Sequence, residues 1–155
     1  MRKFFPILAL LILVVGGVLL WRWTHPKLSD EEQIAANLNG ICEGAKARSP
    51  RAITDYLSKD FKAGDTTKSE LQNSLVAGIL QYRVIDLKIS SVKTSVLRAS
   101  LGEGVTASSE GQFLLSLKSE YNSQPQIQTG KFDLKWRKID GEWKVITAQG
   151  ELPQF

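Results

Sequence analysis

A single cysteine, Cys42, and a single histidine, His25, are the scarcest reactive side chains in this 155-residue sequence. One thiol excludes an internal disulfide framework and any site built from several thiolates. His25 precedes the stretch that reads as a folded domain, so a histidine triad, a histidine proton shuttle and a histidine-rich metal site are excluded within one copy. No metal and no cofactor is therefore expected. Low-complexity tracts are also missing, and 43% hydrophobic with 23% charged residues is a globular composition, not a disordered one. No glycine-rich loop follows a strand-like run, which leaves nucleotide binding without support, and no internal repeat is visible.

Acidic residues are absent from the first 29 positions, and this locates the net charge of +4. Arg2, Lys3, Arg22 and Lys27 precede the first acid, Asp30; from there on, 16 basic residues face 16 acidic ones. The pI of 9.2 thus belongs to the N-terminal region. A nucleic-acid-binding domain carries its own positive excess, so no nucleic-acid partner is expected.

What is present at the N-terminus is an unbroken uncharged run of 18 residues, Phe4 to Trp21. As a helix it spans about 27 Å, close to a thin hydrocarbon core. Trp21 and Trp23 bracket Arg22 at the expected boundary with water. No small-x-small cleavage site follows, so the run reads as an uncleaved signal-anchor, not a removed signal peptide. The two-cation tail is expected to stay in the cytoplasm, leaving the domain outside it (periplasmic in a bacterium). The organisation predicted is a membrane anchor over 1–23, with 4–21 in the bilayer, a tether over 24–29, and one domain over 30–155.

Inside the domain, Ser29 with Glu32 forms a capping-box pattern, and Ile34, Leu38, Ile41 and Ala45 recur at helical spacing. Helix one is expected from about Asp30 to Arg48, with Gly40 permitting close packing. Ser49-Pro50 starts a short helix with Ile53, Tyr56 and Leu57 inward. Thr67 with Glu70 opens a third, whose apolar positions are Leu71, Leu75, Val76, Ile79 and Leu80. From Val84 the period becomes two, and a second strand covers Val105 to Lys118, with a bulge or bend expected at Gly111. Ser119 to Thr129 reads as a loop. Phe132, Leu134 and Trp136, then Asp140-Gly141, then Trp143, Val145 and Thr147 form the clearest signal, a type I′ hairpin. That turn sets Trp136 opposite Val145 and Lys138 opposite Trp143. Three helices followed by antiparallel strands make an α+β chain, with the helices covering the sheet.

The segments SDEEQIAANLNGICEGAKARSPRAITDYLSKDF, TTKSELQNSL and KFDLKWRKIDGEWKVITAQG resemble the nuclear transport factor 2-like (SnoaL-like, cystatin-like) superfamily over nearly all of Asp30 to Leu152. The resemblance implies helices packed on a curved antiparallel sheet, a cone that can enclose an apolar pocket. The family holds isomerases, dehydratases, transport adaptors and secretion scaffolds, so function must come from the site. Matching to its ketosteroid isomerases places Asp65 near the catalytic base. Ile41 stands where an oxyanion-donating tyrosine would be needed, and no residue takes the second donor's place. Gly64-Asp65-Thr66 also reads simply as turn chemistry. The histidines of scytalone dehydratase-like members are absent from the domain.

Tyr56, Tyr82, Trp136 and Trp143 are the expected pocket lining, with core packing as their other role. Asp55 and Asp60 read as a solvated residue and a turn cap, and Cys42 as a small buried hydrophobe. On the reverse face of the last hairpin, Lys131, Lys135, Arg137 and Lys144 form a candidate partner surface, with Arg137 directly opposite Lys144. In the superfamily the outer sheet surface often makes dimers. The leading expectation is a non-catalytic, membrane-anchored extracytoplasmic domain that binds a small apolar ligand or a partner protein. The alternatives are a self-associating secretion or assembly scaffold, and a lyase or isomerase acting through Asp65.

Overall fold

The structure, a computed structural model, describes residues 28–98, 104–121 and 124–151. The expected anchor and the tether up to Lys27 lie outside the described residues. Among the described residues no helix is long and apolar enough to cross a membrane.

Helix α1, Asp30–Lys46, starts where its cap predicts: the Ser29 hydroxyl accepts from the Glu32 N–H, and the Glu32 carboxylate accepts from the Ser29 N–H at 2.7 Å. Ile34, Leu38 and Ala45 are buried along one side. Gly40 leaves room for Tyr56, whose hydroxyl occupies the place a Cβ would take. Helix α2, Pro50–Thr54, follows the Ser49 cap. It is shorter than the sequence reading, for Tyr56 lies beyond it and Leu57 opens strand β1, Leu57–Ala63. Gly64 and Asp65 then form a two-residue turn, with Gly64 at φ +59, into the short strand β2, Thr66–Thr67.

The second capping box, Thr67 with Glu70, starts helix α3, Lys68–Gln81. Its Lys68 Nζ donates to Leu57 O at 2.8 Å and ties the helix to β1. Leu75 is buried, but Val76 and Leu80 are not, Leu80 being 82% exposed. They were expected on the apolar face; among the described residues the helix turns a narrower stripe inward, with Leu75 buried and Leu71 and Ile79 packed against the core.

Four long strands follow: β3, Val84–Arg98; β4, Val105–Lys118; β5, Gln126–Ile139; and β6, Glu142–Gly150. The sheet is curved and unclosed, in the order β2-β1-β6-β5-β4-β3. All neighbours are antiparallel except β1 and β6, which run parallel and correct the wholly antiparallel expectation. The Tyr56 carbonyl accepts from Val145 N–H at 2.9 Å and starts that pairing. The expected loop is also shorter, since β5 begins at Gln126.

The last hairpin has the register read from Asp140-Gly141: Ile139 faces Glu142, Lys138 faces Trp143 and Trp136 faces Val145. Asp140 and Gly141 both take positive φ, 52° and 85°, as a type I′ turn requires. The bulge expected at Gly111 is found at that level of the sheet, with its extra residue on the neighbouring strand: Ser91 and Val92 of β3, between Ser90 and Lys93, stand against Gly111, and Ser91 takes φ 55°. Gly111 pairs regularly with Phe132, and the Phe132 ring lies 2.6 Å from where a Cβ would stand. That glycine makes room for a ring; it does not bend its strand.

Candidate functional site

The inner, helix-facing side of the sheet is filled by its own aromatic residues. Trp136 (0% exposed) and Trp143 (1%) pack with Ile34, Leu38, Phe61 and Val145. Phe113, Phe132 and Tyr82 pack with Leu115 and Leu117 in a second cluster. Both indoles have their N–H satisfied, as burial requires. Trp136 Nε1 donates to Ser109 Oγ at 3.1 Å, and the Ser109 and Thr94 hydroxyls share a hydrogen bond of 3.0 Å. Trp143 Nε1 donates to Asp30 Oδ1 at 3.1 Å, which also takes the Lys138 ammonium at 2.7 Å.

Of the four aromatics read as pocket lining, Trp136 and Trp143 thus lie in the core. Tyr56 packs on Gly40, and Tyr82 is buried with its hydroxyl donating to Gln126 Oε1 at 3.2 Å. None of the four lines the groove described next. Asp65 is exposed at the β1–β2 turn, away from that groove.

A groove of about 510 Å³ runs instead between α1 and β3. Leu38, Asn39 and Cys42 form the helix wall, while Leu87, Ile89 and Val92 come from the strand. Glu43, Lys46, Asp86 and Lys88 stand around it and bring both signs of charge. Leu87 and Ile89 point to the helix layer, and Asp86 and Lys88 to the outer face, by the alternation of a strand. That all four line the groove shows that it opens along the unpaired margin of β3, the last strand of the sheet.

Cys42 is half-buried in this groove. Burial pushes its thiol pKa up; the Ile89 backbone N–H works the other way, and the Glu43 and Asp86 carboxylates add to the rise. The thiol is held protonated, which suits packing against a ligand and not nucleophilic attack. Among the described residues, no group of three His, Cys, Asp or Glu side chains could hold a metal ion. The groove was not legible in the sequence, because its walls are set by the distance between two elements some forty residues apart. The only signal was Cys42 beside the apolar stripe of helix one.

On the outer face of the sheet, Lys131, Lys135 and Arg137 are exposed. Arg137 faces Lys144 in register, as read from the turn. Lys144 turns aside, its Nζ bonding Asp55 O at 2.9 Å and Glu142 Oε2 at 2.7 Å, which relieves the like-charge pairing.

No protein-family model and no curated protein matches the chain. Solved structures do match. One is a candidate scytalone dehydratase from Novosphingobium aromaticivorans, 15% identical, with a TM-score of 0.68 over 81% of this chain and 85% of that one. Another is a nuclear transport factor 2-like superfamily protein from Salmonella enterica serovar Typhimurium, 16% identical, with a TM-score of 0.60 over 79% and 90%. A third, an NTF2-like protein with a cystatin-like fold from Novosphingobium aromaticivorans, is 12% identical, with a TM-score of 0.60 over 98% and 91%. At such identities the likeness speaks for architecture alone. The described chain therefore has the α+β, nuclear transport factor 2-like, cystatin-like fold.

Proposed function

We propose that this chain is a non-catalytic binding domain, held at a membrane by residues 4–21, whose α1–β3 groove takes a small amphipathic ligand. The observation that carries this reading is the groove itself: an aliphatic floor of Leu38, Leu87, Ile89 and Val92 with charged groups around it. Such a site favours a ligand with an apolar body and a polar end, because a wholly apolar one would strip water from Glu43, Lys46, Asp86 and Lys88 without replacing it. The site differs from the pocket expected inside the cone, where two tryptophans take up the space. Catalysis has weaker support, since Asp65 lies at an exposed turn away from the groove and the Cys42 thiol is pushed toward its protonated form by burial.

Cys42 gives the test a direct readout, because it is the only cysteine in the chain. The full-length protein, held in a nanodisc, is alkylated with N-ethylmaleimide and the added mass is followed with and without lauric acid. Lauric acid is expected to slow alkylation, and Leu87→Trp, which fills the groove, is expected to abolish that protection. If alkylation proceeds at one rate with lauric acid and with shorter and longer fatty acids, the groove reading fails.

A further inference from the structure

The outer face of the sheet carries a charge that the domain as a whole does not. In the β1–β6–β5 half, register places Lys62, Thr147 and Lys135 in one row, with Lys144 and Arg137 in the next. Lys131 and Asp133 lie further along β5 on the same face. Lys62, Lys131, Lys135 and Arg137 are exposed, and none forms an ion pair among the described residues. The acids on this half, Glu142, Asp133 and the exposed Asp60 of β1, are outnumbered by Lys62, Lys131, Lys135, Arg137 and Lys144. Glu142 is taken by Lys144, and Asp133, between Lys131 and Lys135, keeps a buried Oδ1 without a hydrogen-bond partner among the described residues.

From Asp30 onward, basic and acidic residues balance, so this positive patch is a local segregation of charge and not a reflection of overall composition. Fields of this kind steer association and select the sign of the partner. They also oppose a two-fold contact through the same face, in which Lys135 and Arg137 would approach their own copies. Beyond these strands the same sheet face exposes aliphatic side chains: Leu97 of β3, two strands from β5 in the row of Arg137 and Thr106, is 64% exposed, and Ile127, at the start of β5, is 62% exposed. A mixture of free cations and aliphatics matches a polypeptide surface, whereas a phosphate backbone gains nothing from the aliphatics.

We infer that the outer face of the sheet, from β1 across β6 and β5 to Leu97 of β3, docks an acidic, partly apolar surface of a different polypeptide, and that it does not pair with a second copy of this chain. This surface lies across the sheet from α1, so the inference stands independently of the groove.

The test uses the full-length chain in phosphatidylcholine nanodiscs and a fluorescein-labelled peptide of alternating glutamate-rich and leucine positions. Binding is expected to weaken steeply with salt. Lys135→Glu with Arg137→Glu is expected to weaken it about tenfold, or about 1.4 kcal/mol. Arg51→Glu with Arg83→Glu, which removes two cations elsewhere, is expected to leave the affinity unchanged. Should the double reversal not fold, Lys62→Gln with Lys131→Gln makes the same comparison. Equal binding by the reversed and native proteins would overturn the inference. So would tighter binding to oligothymidylate or to phosphatidylserine vesicles than to the peptide, and so would a dimer cross-linked through Lys135 of both copies.

Discussion

Asp30, the first residue of α1, accepts the buried Trp143 indole N–H of β6 through its Oδ1 at 3.1 Å, joining the start of the domain to its last strand. Lys138 closes the arrangement, with its Nζ 2.7 Å from the same oxygen and 5.6 Å from the centre of the Trp143 ring. Asn37, two turns along α1, donates to Trp143 O at 3.0 Å. The helix is thus pinned across the terminal hairpin by a carboxylate, an amide and an indole.

Removing that carboxylate strands a buried N–H and a half-buried ammonium together. Asp30→Ala is expected to cost about 2–3 kcal/mol in urea unfolding, because both partners lose their acceptor. Asp30→Asn keeps an oxygen for the indole and is expected to cost less. Equal losses in the two variants would mean that the indole bond contributes nothing.

Gly40 separates two opposing effects. On helix propensity alone, Gly40→Ala would stabilise α1 by about 1 kcal/mol. The new methyl would overlap the Tyr56 ring, whose Cζ is 2.5 Å from its position, and overpacking of this kind costs about 1–3 kcal/mol. Net destabilisation is expected in thermal or urea unfolding, with recovery when Tyr56→Leu is added. A more stable single variant would show that Tyr56 moves aside freely.

Cys42 makes stability sensitive to alkaline pH. Its thiol pKa is raised in the folded chain, so the folded state keeps that proton to higher pH than the unfolded state. The contribution is complete below the unfolded value, near 9.0, and is lost as pH rises from there through the folded value. Cys42→Ala is therefore expected to unfold with a shallower loss of stability above pH 9.0 than the native chain, as read from urea midpoints across pH. Identical slopes would remove Cys42 from the account.

The N-terminal run gives a prediction independent of the groove. A compartment reporter fused after Phe155 is expected to report the extracytoplasmic side, and deletion of residues 1–23 is expected to move the protein from the alkali-resistant membrane fraction to the supernatant. A cytoplasmic signal would reverse the orientation, and a deletion that stays with the membrane would dismiss the anchor.

The terminal hairpin was legible from its turn as far as Trp136 and Val145, because that information is local; beyond them a register shift puts Thr147 opposite Lys135 on the outer face and Ala148 inward, which alternation from Trp143 and Val145 did not foresee. Both capping boxes were legible for the same reason. Strand β1 was not. Leu57–Ala63 contains no β-branched residue, and its partner, β6, lies more than eighty positions away and pairs irregularly, with a register shift between Leu57 and Lys62. The Gly111 reading was half met: a bulge does stand against it, but the extra residue belongs to β3, and the room the glycine leaves for the Phe132 ring shows only in the packing. Trp136 and Trp143 show the same limit at the candidate site. Their spacing places them on one face, but whether that face lines a cavity or fills it depends on the depth of the cone.

The kink at Ser91 bears on what happens when many copies are crowded together. Among the described residues, β3 ends the sheet with a row of backbone groups no neighbouring strand uses, the kind of border on which foreign strands polymerise. The irregularity between Ser90 and Lys93 turns the chain partway along, so an incoming strand finds straight pairing only over Val84–Ser90 or over the stretch beyond Lys93. Neither stretch offers an incoming strand the whole length of β3, and straightening the kink by deleting Ser91 would hand the protein a longer, continuous template.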